Sequence, residues 1–195
     1  MSTIDDLPKR TAALRNPGDP DSRTLIERTI RVDQAGEFGA VRIYEGQLAA
    51  LRLTGRANGE AGRKIAAMAR AEREHNRTFD RLLVERRVRP TALSPLWHVA
   101  GFALGAATAL LGEKAAMACT VAVEETIDEH YAEQAAALGD DEAALRTTIE
   151  KFRADELEHR DTALASGAEE APAYEALSAV IKAGSKLAIW LSSRV

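Results

Sequence analysis

Glutamate and histidine recur in this chain at a spacing that suits metal binding. Glu72-Arg73-Glu74-His75 and Glu156-Leu157-Glu158-His159 both read Glu-x-Glu-His, and each is followed by a threonine, Thr78 and Thr162. On a helix, residues three apart share a face, so Glu72 with His75 can hold one cation and Glu156 with His159 a second. A longer repeat lies upstream. Glu37 is followed by Tyr44 at plus 7, Gln47 at plus 10 and Ala49-Ala50-Leu51 at plus 12 to 14, and Glu124 by Tyr131, Gln134 and Ala136-Ala137-Leu138 at the same offsets. The resulting order, Glu, Glu-x-x-His, Glu, Glu-x-x-His, is the ligand inventory of a ferritin-like bundle with two irons or two manganese ions. One such motif is weak evidence, because both residue types are common on helix surfaces. Four in register through an internal duplication are strong. Oxygen and nitrogen ligands without thiolate suit iron or manganese, and four carboxylates with two imidazoles leave coordination positions open for dioxygen.

These ligands need helices to carry them. Asp21 or Ser22 can cap a helix running to about Leu53, stopped by Thr54-Gly55. The next is expected from about Glu60 to Val88, before Pro90. A third carries Glu124 and stops at Gly139. A fourth starts after a cap at Asp140 or Asp141 and runs to about Ser166-Gly167, and Pro172 opens a fifth in its first turn. No strand-like alternation occurs, so the expectation is all-α: a ferritin-like four-helix bundle with additional apolar membrane-interface helices.

Apolar stripes orient the ligands. Glu37 shares a face with Ile30, Val41, Tyr44, Leu48 and Leu51; Glu72 and His75 with Ile65, Met68, Phe79 and Leu82; Glu156 and His159 with Leu145, Ile149, Phe152 and Ala163. Carboxylates set in such stripes call for a cation, because an unpaired buried charge is costly. Any one of them alone reads more simply as an interhelical salt bridge; the ensemble does not. Glu124 and Glu125 compete on the third ligand helix. Glu124 is the choice, since it lies with Met117, Val121, Ile127 and Tyr131 and alone matches the repeat. Asp155 is a candidate partner for the far nitrogen of a ligating histidine on a neighbouring helix. Tyr44 and Tyr131 are candidate donors to the metal carboxylates, His130 a candidate for the surroundings of the site or its substrate side, and His98 is read as structural.

Thr91 to Gly112 carries no formal charge at neutral pH and includes Leu96-Trp97 and an apolar run from Val99 to Leu111. A spanning helix needs about 20 mainly apolar residues. Pro95, His98 and the glycines at 101, 105 and 112 make this a poor span, so a helix lying in the membrane interface with Trp97 as anchor fits better. Ile181, Leu187, Ile189, Trp190 and Leu191 could join it. A buried core helix or a dimer interface is the alternative.

The remaining composition narrows the classes. With 195 residues, 46% hydrophobic and 29% charged, the chain is globular, and residues 22–195 are read as a single domain behind a loose polar arm, 1–21. A formal net charge of −4 without a basic block argues against a nucleic-acid partner. One cysteine, Cys119, excludes an intrachain disulfide and a cysteine-rich metal site, and its apolar neighbours mark it as buried.

Ile30-Arg-Val-Asp-Gln-Ala-Gly-Glu-Phe-Gly-Ala40, Arg42-Ile-Tyr44, Gly101-Phe-Ala-Leu-Gly105, Ala116 to Glu125 and Phe152-Arg-Ala-Asp-Glu-Leu-Glu-His159 resemble the demethoxyubiquinone hydroxylase family of ubiquinone biosynthesis, from about Ile26 to the C-terminus. The resemblance implies a di-iron monooxygenase, with two iron ions per chain, that uses dioxygen to hydroxylate the ring of a polyprenylated demethoxyubiquinol. It places the ligands on Glu37, Glu72, His75, Glu124, Glu156 and His159, with Glu72 and Glu156 bridging. It also implies peripheral membrane association, and it leaves room for a lipid-binding partner protein of the pathway and for a homo-oligomer. The polar start, without a transit-type leader, points to the cytoplasmic face of a bacterial inner membrane. Two other readings stay open: an iron-oxidising or peroxide-reducing ferritin relative, and a non-catalytic membrane-docking bundle.

Overall fold

A computed structural model describes residues 21–195. The arm expected over 1–21 lies, apart from Asp21, outside the described residues. Six helices follow in order: α1 (Ser22–Leu53), α2 (Glu60–Arg86), α3 (Ser94–Leu111), α4 (Glu113–Ala137), α5 (Ala143–Leu164) and α6 (Tyr174–Ser192), with no strand among the described residues. The Asp21 carboxylate accepts the Thr24 N–H at 2.7 Å and caps α1, a contact worth about 0.5–2 kcal/mol.

Helix ends account for the differences from the sequence expectations. α2 stops two residues before Val88, because Arg87 turns left-handed at φ 54°. The Val88 N–H then reaches back to the Leu83 carbonyl and the Arg87 N–H to that of Val84, a Schellman closure built without glycine. Asp140–Glu142 form a 3₁₀ turn, so α5 begins at Ala143 rather than directly after an aspartate cap. Glu142 takes both terminal nitrogens of Arg86, each at 2.8 Å, which holds this turn against the end of α2. α5 closes at Leu164, and Gly167 at φ 81° completes the reversal. Pro172 precedes α6 instead of opening it, since Ala173 adopts φ 54°.

The duplication visible in the ligands extends to whole helices. α3 runs parallel to α1: Gly101 sits beside Gly39 and Arg42, and Gly105 beside Ile43. α6 runs parallel to α4 through ion pairs of Lys182 with Glu125 (2.5 Å) and Lys186 with Glu129 (2.8 Å). Each half is thus two bundle helices and one accessory helix, and α1, α2, α4 and α5 form the four-helix bundle. The accessory helices meet where the Trp97 indole donates to Ser192 Oγ at 3.0 Å. Two apolar clusters fill the bundle, one around Leu48, Leu51, Ile65 and Met117 and one around Ile30, Phe79, Ile149 and Phe152. Between them lies a layer of glutamate and histidine.

α3 is not a buried core helix of this chain. Only Gly105, Thr108 and Ala109 of it are buried, while Leu96, Val99, Leu110 and Leu111 are exposed, as are Val180, Leu187 and Trp190 of α6. Among the described residues, α3 is the one helix long and apolar enough to cross a membrane by length and composition.

Candidate metal centre

One turn from each bundle helix builds the polar layer. Glu37 comes from α1, Glu72 and His75 from α2, Glu124 from α4, and Glu156 and His159 from α5; the most exposed, His159, reaches 7%. They form two groups, Glu37-Glu72-His75-Glu156 and Glu72-Glu124-Glu156-His159, within each of which ligand atoms lie no more than 4.8 Å apart. Glu72 and Glu156 belong to both. Glu156 sets Oε1 3.2 Å from His75 Nδ1 and Oε2 3.2 Å from His159 Nδ1. Glu72 sets Oε1 2.9 Å from His159 Nδ1 and Oε2 4.0 Å from His75 Nδ1. Each of these carboxylates therefore offers one oxygen to either side, the disposition a bridging ligand needs.

The residues fit metal ions on their own chemistry. Glu37 Oε2, both oxygens of Glu72, Glu124 Oε2, Glu156 Oε1 and His75 Nδ1 are buried without a hydrogen-bond partner. Leaving one such group unsatisfied costs about 1–3 kcal/mol, and more when it is charged. Six such atoms lie in one layer, close to one another and to the same shared space, which cations would resolve. Burial raises the carboxyls of Glu37, Glu72 and Glu124 above the usual range, and neighbouring carboxylates add to this. Burial also works to raise Glu156, but the imidazoles of His159 and His75 outweigh it and hold Glu156 low. His75 is driven up by Glu156 and Glu37 against a burial effect that works to lower it.

Contacts behind the ligands are equally ordered. Asp155 Oδ2 lies 3.1 Å from His75 Nε2, the nitrogen facing away from the centre, which fixes the tautomer that presents Nδ1 to a metal. Tyr44 on α1 donates to Glu124 Oε1 on α4 at 2.5 Å, and Tyr131 on α4 donates to Glu37 Oε1 on α1. The duplicated tyrosines thus cross between halves. Burial raises both phenols well above their usual value, so they stay protonated donors. Glu125 points away to Lys182. His98 is exposed, its ring stacked on Phe38 at 6.0 Å. Cys119 is fully buried, and burial pushes its thiol up to about 12.

His130 lies apart from the ligands and meets two residues to which the sequence reading gave no role at the site, Asp33 and Gln134. Gln134 Nε2 donates to Asp33 Oδ1 at 2.6 Å and lies 2.8 Å from His130 Nε2. A signal was available: Asp33 stands four residues before Glu37 on the same helical face, and Gln134 belongs to the repeat.

A second feature adjoins the centre. A cavity of about 480 Å³ opens between α1, α3, α4 and α6, walled by residues such as Gly36, Gly39, Trp97, Leu104, Val123 and Ile127. Val123 and Ile127 of the cavity wall are neighbours of Glu124 on α4, one residue before it and three after it. A Cβ added at Gly36, Gly39 or Gly184 would meet nothing within 4 Å. The glycines leave the room that side chains would occupy.

Comparison with known proteins gives a consistent set. The profile of the ubiquinone biosynthesis protein COQ7 family matches residues 24–192. The 3-demethoxyubiquinol 3-hydroxylase of Rhodospirillum rubrum is 60% identical over 187 residues, 96% of this chain and 86% of that protein. The human NADPH-dependent 3-demethoxyubiquinone 3-hydroxylase, mitochondrial, is 51% identical over 178 residues, 89% of this chain and 80% of its own length. The 5-demethoxyubiquinone hydroxylase, mitochondrial, of Saccharomyces cerevisiae is 37% identical, covering 97% of this chain and 86% of its own.

Proposed function

The chain belongs to the ubiquinone biosynthesis protein COQ7 family, and on that premise we propose that its paired glutamate–histidine layer is a di-iron centre. The protein is a hydroxylase of late ubiquinone biosynthesis; its substrate is a demethoxyubiquinol and its oxidant dioxygen. The observation that carries the di-iron reading is the pair of four-residue groups sharing Glu72 and Glu156. Glu37, Glu72, His75 and Glu156 would hold one ion, and Glu72, Glu124, Glu156 and His159 the other. When bound, the irons supply the reductive activation of dioxygen that an organic side chain cannot.

The chain's own residues do the rest. Tyr44 and Tyr131 orient Glu124 and Glu37 by donating to one oxygen of each, leaving the other free. Asp155 holds the His75 ring. The apolar clusters on either side exclude water from the centre. The cavity between α1, α3, α4 and α6 receives the quinol ring, with Val123 and Ile127 guiding it toward Glu124, while its apolar wall suits a polyprenyl tail. Leu187 lines this cavity, and with exposed Leu96, Val99 and Leu110 of α3 and Trp190 of α6, on the helices that wall it, is read as a membrane-docking surface, through which a tail stays in the bilayer as the head enters.

Quinone profiling tests this reading. A bacterial strain lacking its own enzyme for this step should accumulate the demethoxylated quinone and regain ubiquinone when given this chain. Restoration by the wild type but not by Glu156→Ala supports the assignment. Restoration by both contradicts the role of the metal layer.

A further inference from the structure

The duplication that lays out the ligands is broken at one place. The offset of 87 that carries Glu37 to Glu124, Tyr44 to Tyr131 and Gln47 to Gln134 also pairs Asp33 with Thr120 and Ile43 with His130. In the half around Glu124 the corresponding glutamine, Gln47, donates to the Ala116 carbonyl at 3.1 Å, and Thr120 and Ile43 stand where the other half has Asp33 and His130. In the half around Glu37, an aspartate and a histidine meet across α1 and α4.

Their arrangement runs from solvent inward. The His130 side chain is 20% exposed and borders a small opening of about 180 Å³ with Thr29, Glu133 and Leu138. Its Nε2 lies 3.5 Å from Asp33 Oδ1, and the Gln134 amide bridges the two. Asp33 is 2% exposed, and its second oxygen, Oδ2, is buried with no hydrogen-bond partner. A carboxyl placed so is costly. One helical turn further on the same face of α1 stands Glu37, and Glu37 accepts from Tyr131, the residue that follows His130. Burial raises the Asp33 carboxyl while His130 and Gln134 work to lower it. The other charged groups nearby are Glu133 at the rim and, on α2, Asp80, which Gln34 and Asn76 engage.

We propose that His130 and Asp33, bridged by Gln134, relay protons from solvent to the Glu37 side of the centre. The proposal rests on the hydroxylase reading, which creates a demand for protons at a buried site. When a ring C–H becomes C–OH, one dioxygen atom enters the ring and the other leaves as water. Beyond the substrate, this consumes two electrons and two protons. The electrons come from a reduced nicotinamide, the reductant class in the name of the human relative; its oxidation gives back one proton, so two protons enter the centre while one turnover takes up one net proton from solution. The protons come through His130, and neither residue touches the reacting atoms.

The test uses the full iron-loaded chain and the variants His130→Ala, His130→Gln and Asp33→Asn. Three quantities are read: iron content, proton uptake reported by a pH-indicator dye during one turnover, and hydroxylated product. Iron content should equal that of the wild type in all three variants. Proton uptake and product formation should slow together by at least about tenfold. Added imidazole should restore His130→Ala, where it replaces the missing ring, and should not restore Asp33→Asn. Uptake at the wild-type rate in His130→Ala overturns the relay, as does a slowing that imidazole cannot restore or that accompanies iron loss. If the wild type itself forms no hydroxylated quinol, the functional reading fails. Proton uptake on chemical reduction of the loaded protein then still decides the relay.

Discussion

Glu72 and Glu156 face both halves of the centre, whereas Glu37 and Glu124 face one half each, so the four carboxylates should respond differently to mutation. Glu72→Ala or Glu156→Ala should empty both positions, and Glu37→Ala or Glu124→Ala only the position that each serves. Elemental analysis after reconstitution with iron checks this; the same iron content in all four variants would show that no carboxylate is shared. A neighbouring pair gives a sharper contrast. Glu124→Gln should empty the position it serves and abolish hydroxylation, while Glu125→Gln loses only a partly exposed ion pair with Lys182, worth at most about 1 kcal/mol. Equal losses would mean that α4 is rotated by about 100° from its described orientation. The inward face of Glu124 and the outward one of Glu125 were legible in the sequence because helical periodicity ties a residue's neighbours to its face. Asp33 was legible only as a neighbour of Glu37 on one helical face, since its contacts with His130 and Gln134 lie about a hundred residues away.

Glycines give the helices two opposite uses. A Cβ at Gly105 would run into the Ile43 carbonyl, and one at Gly101 would come within 2.9 Å of the Gly39 carbonyl. Backbone cannot yield as a side-chain tip can, so Gly105→Ala should lower stability by about 1–3 kcal/mol through overpacking. Gly39→Ala meets open space and should stabilise α1 by up to about 1 kcal/mol through helix propensity, yet narrow the cavity and raise KM for the quinol. Thermal unfolding and steady-state kinetics separate the two, and a stable Gly105→Ala would contradict the close approach of α1 and α3. Element starts marked by a side-chain cap were readable, as at Asp21. Boundaries set by a left-handed non-glycine residue were not: Arg87 at the end of α2 and Ala173 at the start of α6 carry no residue-type signal for φ near 54°.

At the scale of the molecule, the ligand duplication announced the bundle, but the pairing of α3 with α1 and α6 with α4 rests on glycine contacts and ion pairs that local pattern does not encode. That pairing creates the cavity and brings two exposed apolar surfaces to its edge. If they dock on a bilayer, replacing Val99 and Leu110 with lysine should move the protein from the membrane pellet to the soluble fraction, because each inserted apolar side chain contributes roughly 1.5–3 kcal/mol. Phe102 is a poorer choice for this test, since its ring lies under Arg42. Unchanged partitioning of the double variant would assign the surface to a protein partner instead.

The central claim is that this fold brings a metal pair, a quinol ring and dioxygen together for hydroxylation. Its most direct test is reconstitution with iron and a reduced demethoxyubiquinol analogue under isotopically labelled dioxygen, with the product read by mass spectrometry. The account predicts one labelled oxygen atom on the previously unsubstituted ring carbon, and no labelled product from Glu156→Ala. A ring that gains no label, in protein whose metal centre is shown to be filled and reduced, would contradict it.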